Sequence, residues 1–169
     1  MSGKSTERKR AAIDAESGVQ SREARELIAD ASQTPRAFVW PVRIYWEDTD
    51  AGGVVYHASY LRFLERARTE WLRAQGIDQS RVRETYDIAF VVRDLAIEFL
   101  LPARLDDLLD VELVTADRRS ASMTFSQRIL RRVDGAVLTT ARVRVACVSL
   151  SDLKPCRIPE NLFMEKNNQ

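Results

Sequence analysis

One contrast of periodicity limits what this chain can fold into. A single long stretch repeats apolar residues at helical spacing, and nearly everything after it alternates as strands do. Leu61, Leu64, Ala67, Trp71 and Ala74 recur at three and four residues, the stripe of a helix over 60–75 with one buried face. Arg62, Arg66 and Arg73 lie off that stripe, and Gly76 suits the position just past a helix end. Ahead of the helix, Val42, Ile44 and Trp46 alternate with Arg43, Tyr45 and Glu47, which predicts a half-buried strand over 42–46. Behind it, strands are expected over 88–100, 109–115, 121–133 and 136–150. Residues 78–86 read as a short helix or an irregular lid, and Asp134-Gly135 as a type I′ hairpin turn. One strand, one long helix and about four antiparallel strands make an α+β fold, with the helix packed on one face of a sheet.

The length of 169 residues allows one domain with some chain to spare. Residues 1–37 carry Lys4, Arg8, Lys9, Arg10, Arg22 and Arg25 but few large aliphatics, so they read as a flexible or loosely docked extension. A short helix capped by Ser21 fits Ser21–Ala31 within it. The domain is expected over 38–162 and a C-terminal tail over 163–169, although the chain from Ser151 onward, with Pro155 and Pro159, already reads as a tail. A formal charge of +1 gives no push toward nucleic acid or an anionic membrane. Cys147 and Cys156 are too few for a disulfide framework and lack metal-binding spacing; Cys147 reads as a small buried apolar residue. No apolar run approaches the roughly 18–20 residues of a membrane span, and no apolar signal core follows the charged start. The cytoplasm is the expected location.

The joint between strand and helix concentrates the chemistry. Glu47-Asp48-Thr49-Asp50-Ala51-Gly52-Gly53-Val54-Val55-Tyr56-His57 holds three carboxylates, two glycines and the chain's only histidine. The glycines permit a tight turn or a close approach to a ligand. The helix start that follows presents free N–H groups that suit a developing negative charge.

The run from Tyr45 to Leu72, with Asp48-Thr49-Asp50-Ala51-Gly52-Gly53-Val54-Val55-Tyr56-His57 at its centre, resembles the YbgC-like acyl-CoA thioesterases of the 4-hydroxybenzoyl-CoA thioesterase group. The resemblance covers roughly 39–162. It implies the hotdog fold, an antiparallel sheet wrapped around one long helix. It implies hydrolysis of acyl-CoA to free acid and CoA without a cofactor, and an association with the Tol-Pal envelope system. It puts the family's catalytic aspartate on Asp50, its histidine on His57 and the oxyanion-binding amide at Val55, Tyr56 or His57. It also implies a homo-oligomer, a dimer or tetramer in which two subunits line one cleft.

Asp50 fits the chemistry because a carboxylate with a free pKa of about 3.9 is ionised at neutral pH. It serves either as general base toward water or as nucleophile. A lone histidine ordinarily reads as a structural residue; its place beside Asp50 and the glycines turns His57 toward a role in orienting water or protonating the leaving sulfur. Asp48 reads as a brace of the turn before it reads as catalytic. Glu65, a helix carboxylate of the kind some hotdog thioesterases use, has Arg62, Arg66 and Arg68 around it and reads first as an ion-pair partner. Glu47, Asp48, Asp50 and His57 match neither calcium nor zinc spacing, so no metal is expected. Arg118, Arg119, Arg128, Arg131 and Arg132 are candidates for CoA phosphates, most of them solvent-facing. Tyr60, Phe63, Phe90, Val91 and Val92 line either an acyl pocket or the core. The alternative reading is an adaptor with little hydrolysis, holding acyl carrier protein or phospholipid-synthesis enzymes at the inner membrane. A hotdog hydratase is disfavoured because its Asn-Pro-containing motif does not occur here.

Overall fold

The computed structural model describes residues 37–163. The expectations for the chain before residue 37, the Ser21–Ala31 helix included, and beyond residue 163 lie outside the described residues. Strand β1 (Phe38–Arg43) leads through a 3-10 turn (Trp46–Asp48) and a loop into helix α1 (His57–Ala74), followed by helix α2 (Gln79–Tyr86). Strands β2 (Ile88–Phe99), β3 (Leu108–Arg119), β4 (Ser122–Arg131) and β5 (Val137–Ser149) complete one antiparallel sheet ordered β1-β3-β4-β5-β2. Pro41 sits on the edge strand β1, where a missing N–H costs least. The long helix over a five-stranded sheet is the predicted α+β arrangement.

Inward residues of the sheet alternate as expected: Leu109, Val111 and Leu113 on β3, Met123, Phe125 and Ile129 on β4, Val143 and Val145 on β5. They pack against Tyr60, Phe63, Leu64 and Ala67 of α1 in one core cluster. Leu64, Ala67 and Trp71 of the predicted stripe face the core, but the stripe is wider and differs at two positions. Leu61 is 39% exposed and Ala74 is exposed, whereas Ser59, Tyr60, Phe63 and Arg68 are buried. A polar pair explains how Arg68 is accommodated there. Its Nη1 donates to Gln127 Oε1 at 2.9 Å, and Gln127 Nε2 donates to Leu64 O at 3.0 Å. Desolvation still pulls the Arg68 pKa below its ordinary value. At the far end Gly76 N–H returns to Arg73 O and Ile77 N–H to Leu72 O, so the last helical carbonyls are satisfied as expected around Gly76.

Three local readings are corrected. The chain leaves the sheet after Arg43, and Trp46 is 79% exposed. Tyr45 N–H is drawn to Asp48 Oδ2 at 3.1 Å, which curls the chain into the 3-10 turn before the alternation can continue. The hairpin lies at Asp134-Gly135, but its turn is not type I′. Only Gly135 has positive φ, +67°, and Gly135 N–H closes on Arg131 O at 2.8 Å. That is a longer loop with one left-handed residue, braced by Asp134 Oδ1 accepting Ala136 N–H. The chain after Ser149 is not a loose tail up to residue 163. Pro155 bridges Val148, and Ile158, Leu162 and Phe163 pack on a second cluster of Leu72, Ile77, Val82, Ile88 and Cys147.

The facing of α1 makes a direct prediction. Leu64→Ala should cost about 2–5 kcal/mol in urea unfolding, and Leu61→Ala under about 1 kcal/mol. Comparable losses would contradict the buried face described here.

Candidate active site

The joint is a self-supporting turn. Asp50 N–H donates to Val54 O and Gly53 N–H to Asp50 O, each at 3.0 Å, while Thr49 and Val55 form an antiparallel bridge. Gly53 has φ +71°, a region that L side chains rarely adopt. Gly52 N–H donates to Asp50 Oδ1 at 2.8 Å, and a Cβ at Gly52 would stand 3.0 Å from that oxygen. Gly53 is therefore required by its backbone conformation, and Gly52 leaves room for the Asp50 carboxylate to reach its N–H. Asp50 is exposed, and its second oxygen has no partner among the described residues.

Asp48 grips the turn from beneath and is buried. Its carbonyl accepts Tyr56 N–H at 2.8 Å and the Ser59 hydroxyl at 3.2 Å. Its carboxylate accepts Tyr45 N–H and lies 3.6 Å from Arg62 Nη2, which also donates to Ser59 Oγ at 2.8 Å. Ala103, on the β2–β3 connection, ties the other side. Its carbonyl accepts Val55 N–H, and its N–H donates to the Tyr60 hydroxyl, both at 2.9 Å. Burial raises the Tyr60 pKa above the usual tyrosine value, so the hydroxyl stays neutral.

These bonds sort the candidate oxyanion amides. The Val55 and Tyr56 N–H groups are engaged, by Ala103 and Asp48. The His57 N–H, first in α1, has no acceptor among the described residues. Tyr56 precedes the helix without a side-chain cap, and no acidic residue stands in the first turn. The His57 imidazole is exposed and lies against the Tyr56 ring, with centroids 4.3 Å apart. No hydrogen bond or ion pair joins it to Asp50 among the described residues.

Glu65 does not form the expected ion pair. Its carboxylate accepts the Thr69 hydroxyl at 2.8 Å, because Arg62 turns to Asp48 and Arg68 turns into the core. The five arginines considered for CoA phosphates have partners within the chain. Arg128 pairs with Glu112, Arg132 with Asp110, Arg119 with Asp117 and Arg131 with Asp134; Arg118 lies over the Phe163 ring. Tyr60 and Phe63 belong to the core, whereas Val91 and Val92 are exposed on β2. No three His, Cys, Asp or Glu side chains gather as a possible metal-binding group among the described residues.

Sequence reasoning missed Ser59 and Ala103 and gave Arg62 to Glu65 as an ion-pair neighbour, whereas it turns to Asp48 and Ser59. The Ser59–Arg62 spacing of three residues on one helix was the available signal for that pair. Ala103 acts through its backbone and leaves no signature. The grip by Asp48 has a measurable consequence. Asp48→Ala should lower stability by about 1–3 kcal/mol in urea unfolding, because Tyr45 N–H loses its acceptor. Glu47→Ala, on the exposed neighbour, should stay within about 0.5 kcal/mol. Equal effects would remove the grip as a stabilising element.

Comparison with known proteins agrees with this architecture. The profile of the thioesterase-like superfamily matches residues 44–164. Acyl-CoA thioesterase YbgC of Haemophilus influenzae is 49% identical over 125 residues, covering 74% of this chain and 90% of that protein. Acyl-CoA thioester hydrolase YbgC of Escherichia coli O6:H1 is 46% identical over 128 residues, covering 76% and 94%. The crystal structure of a probable thioesterase from Bartonella henselae superposes with a TM-score of 0.69 at 36% identity, covering 73% of this chain and 99% of that one. The chain has the hotdog thioesterase fold and belongs to the thioesterase-like superfamily, within it to the YbgC thioesterases.

Proposed function

We propose that this chain hydrolyses the thioester of acyl-CoA, releasing the free acid and CoA. One observation carries the reading: a single turn presents an open carboxylate, Asp50, and leads directly into a helix whose first N–H, on His57, has no acceptor among the described residues. The relatives' activity supports the substrate class. Asp50 acts on water as general base, or attacks the carbonyl carbon itself to give a mixed anhydride that water then cleaves. Either way the carbonyl oxygen gains charge. The His57 N–H, at the positive end of α1, donates to it. The C–S bond then breaks, and the exposed His57 imidazole protonates the departing thiolate or orients the water. Asp48 is assigned to positioning, since its oxygens hold the turn, and Glu65 is left outside the reaction. No cofactor enters the scheme.

The experiment is thiol release from short, long and aromatic acyl-CoA substrates. Asp50→Asn should fold, by circular dichroism, and lose on the order of 10²–10⁴-fold in kcat. His57→Ala should lose less, because its backbone N–H remains. An Asp50→Asn protein with unchanged turnover would remove Asp50 from the mechanism. Negligible turnover by the unmodified chain, together with capture of acyl carrier protein, would favour the adaptor reading at the inner membrane. The cytoplasm is the compartment that suits the thioesterase reading.

A homo-oligomer is part of the same proposal. Strand β2 has β5 on one side and no strand on the other among the described residues. It carries Val91, 41% exposed, and Val92, 52% exposed, and the exposed run continues through Phe99, Leu100 and Leu101. An open apolar edge of this kind is a pairing surface, and a second copy of the chain satisfies it symmetrically. Val92→Asp should therefore shift the sedimentation profile toward monomer and lower kcat/KM with it. A variant that keeps both its assembly and its activity would place the contact elsewhere.

A further inference from the structure

The chain after β5 doubles back along it. Pro155 bridges Val148, Cys156 N–H donates to Cys147 O at 3.0 Å, and Ile158 N–H donates to Ser120 O at 2.7 Å. This lays Cys156 beside Cys147, both as free thiols, with their sulfurs 3.5 Å apart. Residues opposed on antiparallel strands have Cα atoms about 4.5–5.5 Å apart. A disulfide spans about 4.4–6.8 Å between Cα atoms, so the backbone already has the required spacing. Only the sulfurs need to close, by about 1.5 Å, to the bonded distance of about 2.05 Å.

We propose that Cys147 and Cys156 are an oxidisable pair, a modification site at which hydrogen peroxide forms one intramolecular disulfide that fastens the C-terminal segment to β5. Cys156 is half-buried and Cys147 fully buried, which sets the order of events. The Cys156 thiolate attacks peroxide. An S–O bond forms, the O–O bond breaks, and hydroxide leaves as water with the thiol's proton. The Cys147 sulfur then attacks the sulfenic sulfur. An S–S bond forms, the S–O bond breaks, and hydroxide departs as water with the second proton. Two thiols and one peroxide become one disulfide and two waters, with two electrons passing to the oxidant. Burial, and after it the neighbouring Cys156, pushes the Cys147 thiol up to about 12, which leaves the first attack to the less buried Cys156.

The bond would hold an element that closes the second apolar cluster. Ile158, Leu162 and Phe163 cover Leu72, Ile77, Val82 and Ile88, and the Phe163 ring lies 6.2 Å from that of Trp71 on α1. Oxidation therefore fixes the cover over the end of the long helix.

The test treats the folded full-length chain with a few equivalents of hydrogen peroxide. A monomer lighter by about 2 Da is expected, with both cysteines lost to maleimide labelling and both restored by dithiothreitol. The melting temperature should rise by several degrees. Cys156→Ser and Cys147→Ala should each abolish the lighter monomer; the first replaces the less buried thiol and keeps the test valid should the second fail to fold. The proposal is overturned if both thiols remain labelled under conditions that form the bond in the urea-unfolded chain. Oxygen adducts on Cys156, or disulfide-linked dimers, in place of the lighter monomer would overturn it equally.

Discussion

Asp48 is the residue on which the arrangement of the site depends. The turn between β1 and α1 is shaped by its own hydrogen bonds and by one tie, from Val55 N–H to Ala103 O. Asp48 supplies acceptors on both sides of the turn: the carboxylate takes Tyr45 N–H before it, and the carbonyl takes Tyr56 N–H and the Ser59 hydroxyl after it. A buried carboxylate is tolerable when such donors and a nearby guanidinium face it, and Arg62 completes that set. The consequence reaches the chemistry by exclusion. With Tyr56 N–H given to Asp48 and Val55 N–H to Ala103, His57 holds the one amide of these three candidates without an acceptor among the described residues.

Much of the fold was legible because it is written in local periods. The strand alternation on β3, β4 and β5 and the long helix α1 follow from side-chain spacing along the chain. The errors have a common cause, which is a polar side chain making a bond that the apolar pattern does not show. Counting only apolar residues placed Leu61 and Ala74 on the buried stripe. The true face includes Ser59 and Arg68, whose partners, Asp48 and Gln127, are 11 and 59 residues away. Trp46 looked like the end of a strand until Asp48 drew Tyr45 N–H out of the sheet. At the hairpin, the dipeptide fixed the place of the turn, but Asp134 used its carboxylate on Arg131 and Ala136 in a longer loop.

The candidate site shows its side chains in the sequence and hides its backbone bonds. Asp50, the two glycines and His57 stand out by residue type and spacing, and the family membership they implied holds. The division of labour among neighbouring amides cannot be seen in a sequence, because every residue but proline carries the same N–H. Ala103 shows the limit most clearly: its contribution is one carbonyl and one N–H, and only the folded chain brings them to Val55 and Tyr60.

The open edge of β2 bears on the exposed state of Asp50 and His57. A thioester carbonyl is polarised most strongly where water is excluded, since donors act with more force at low dielectric. In the single chain both side chains face solvent, while Tyr60 and Phe63 of α1 are committed to the core. Unused apolar surface lies at the turn, at Tyr45, Trp46 and Tyr56, and on β2, at Val91, Val92 and Leu95, continuing at Phe99. Tyr60 touches Phe99 edge to face, with ring centroids 5.5 Å apart, so the end of β2 reaches the residue that supports the turn through Ala103. A second chain paired along β2 would therefore add its cover beside the turn, not at a remote face. Assembly and catalysis are joined in the proposal for that reason: the surface that asks for a partner is continuous with the residues that hold the turn.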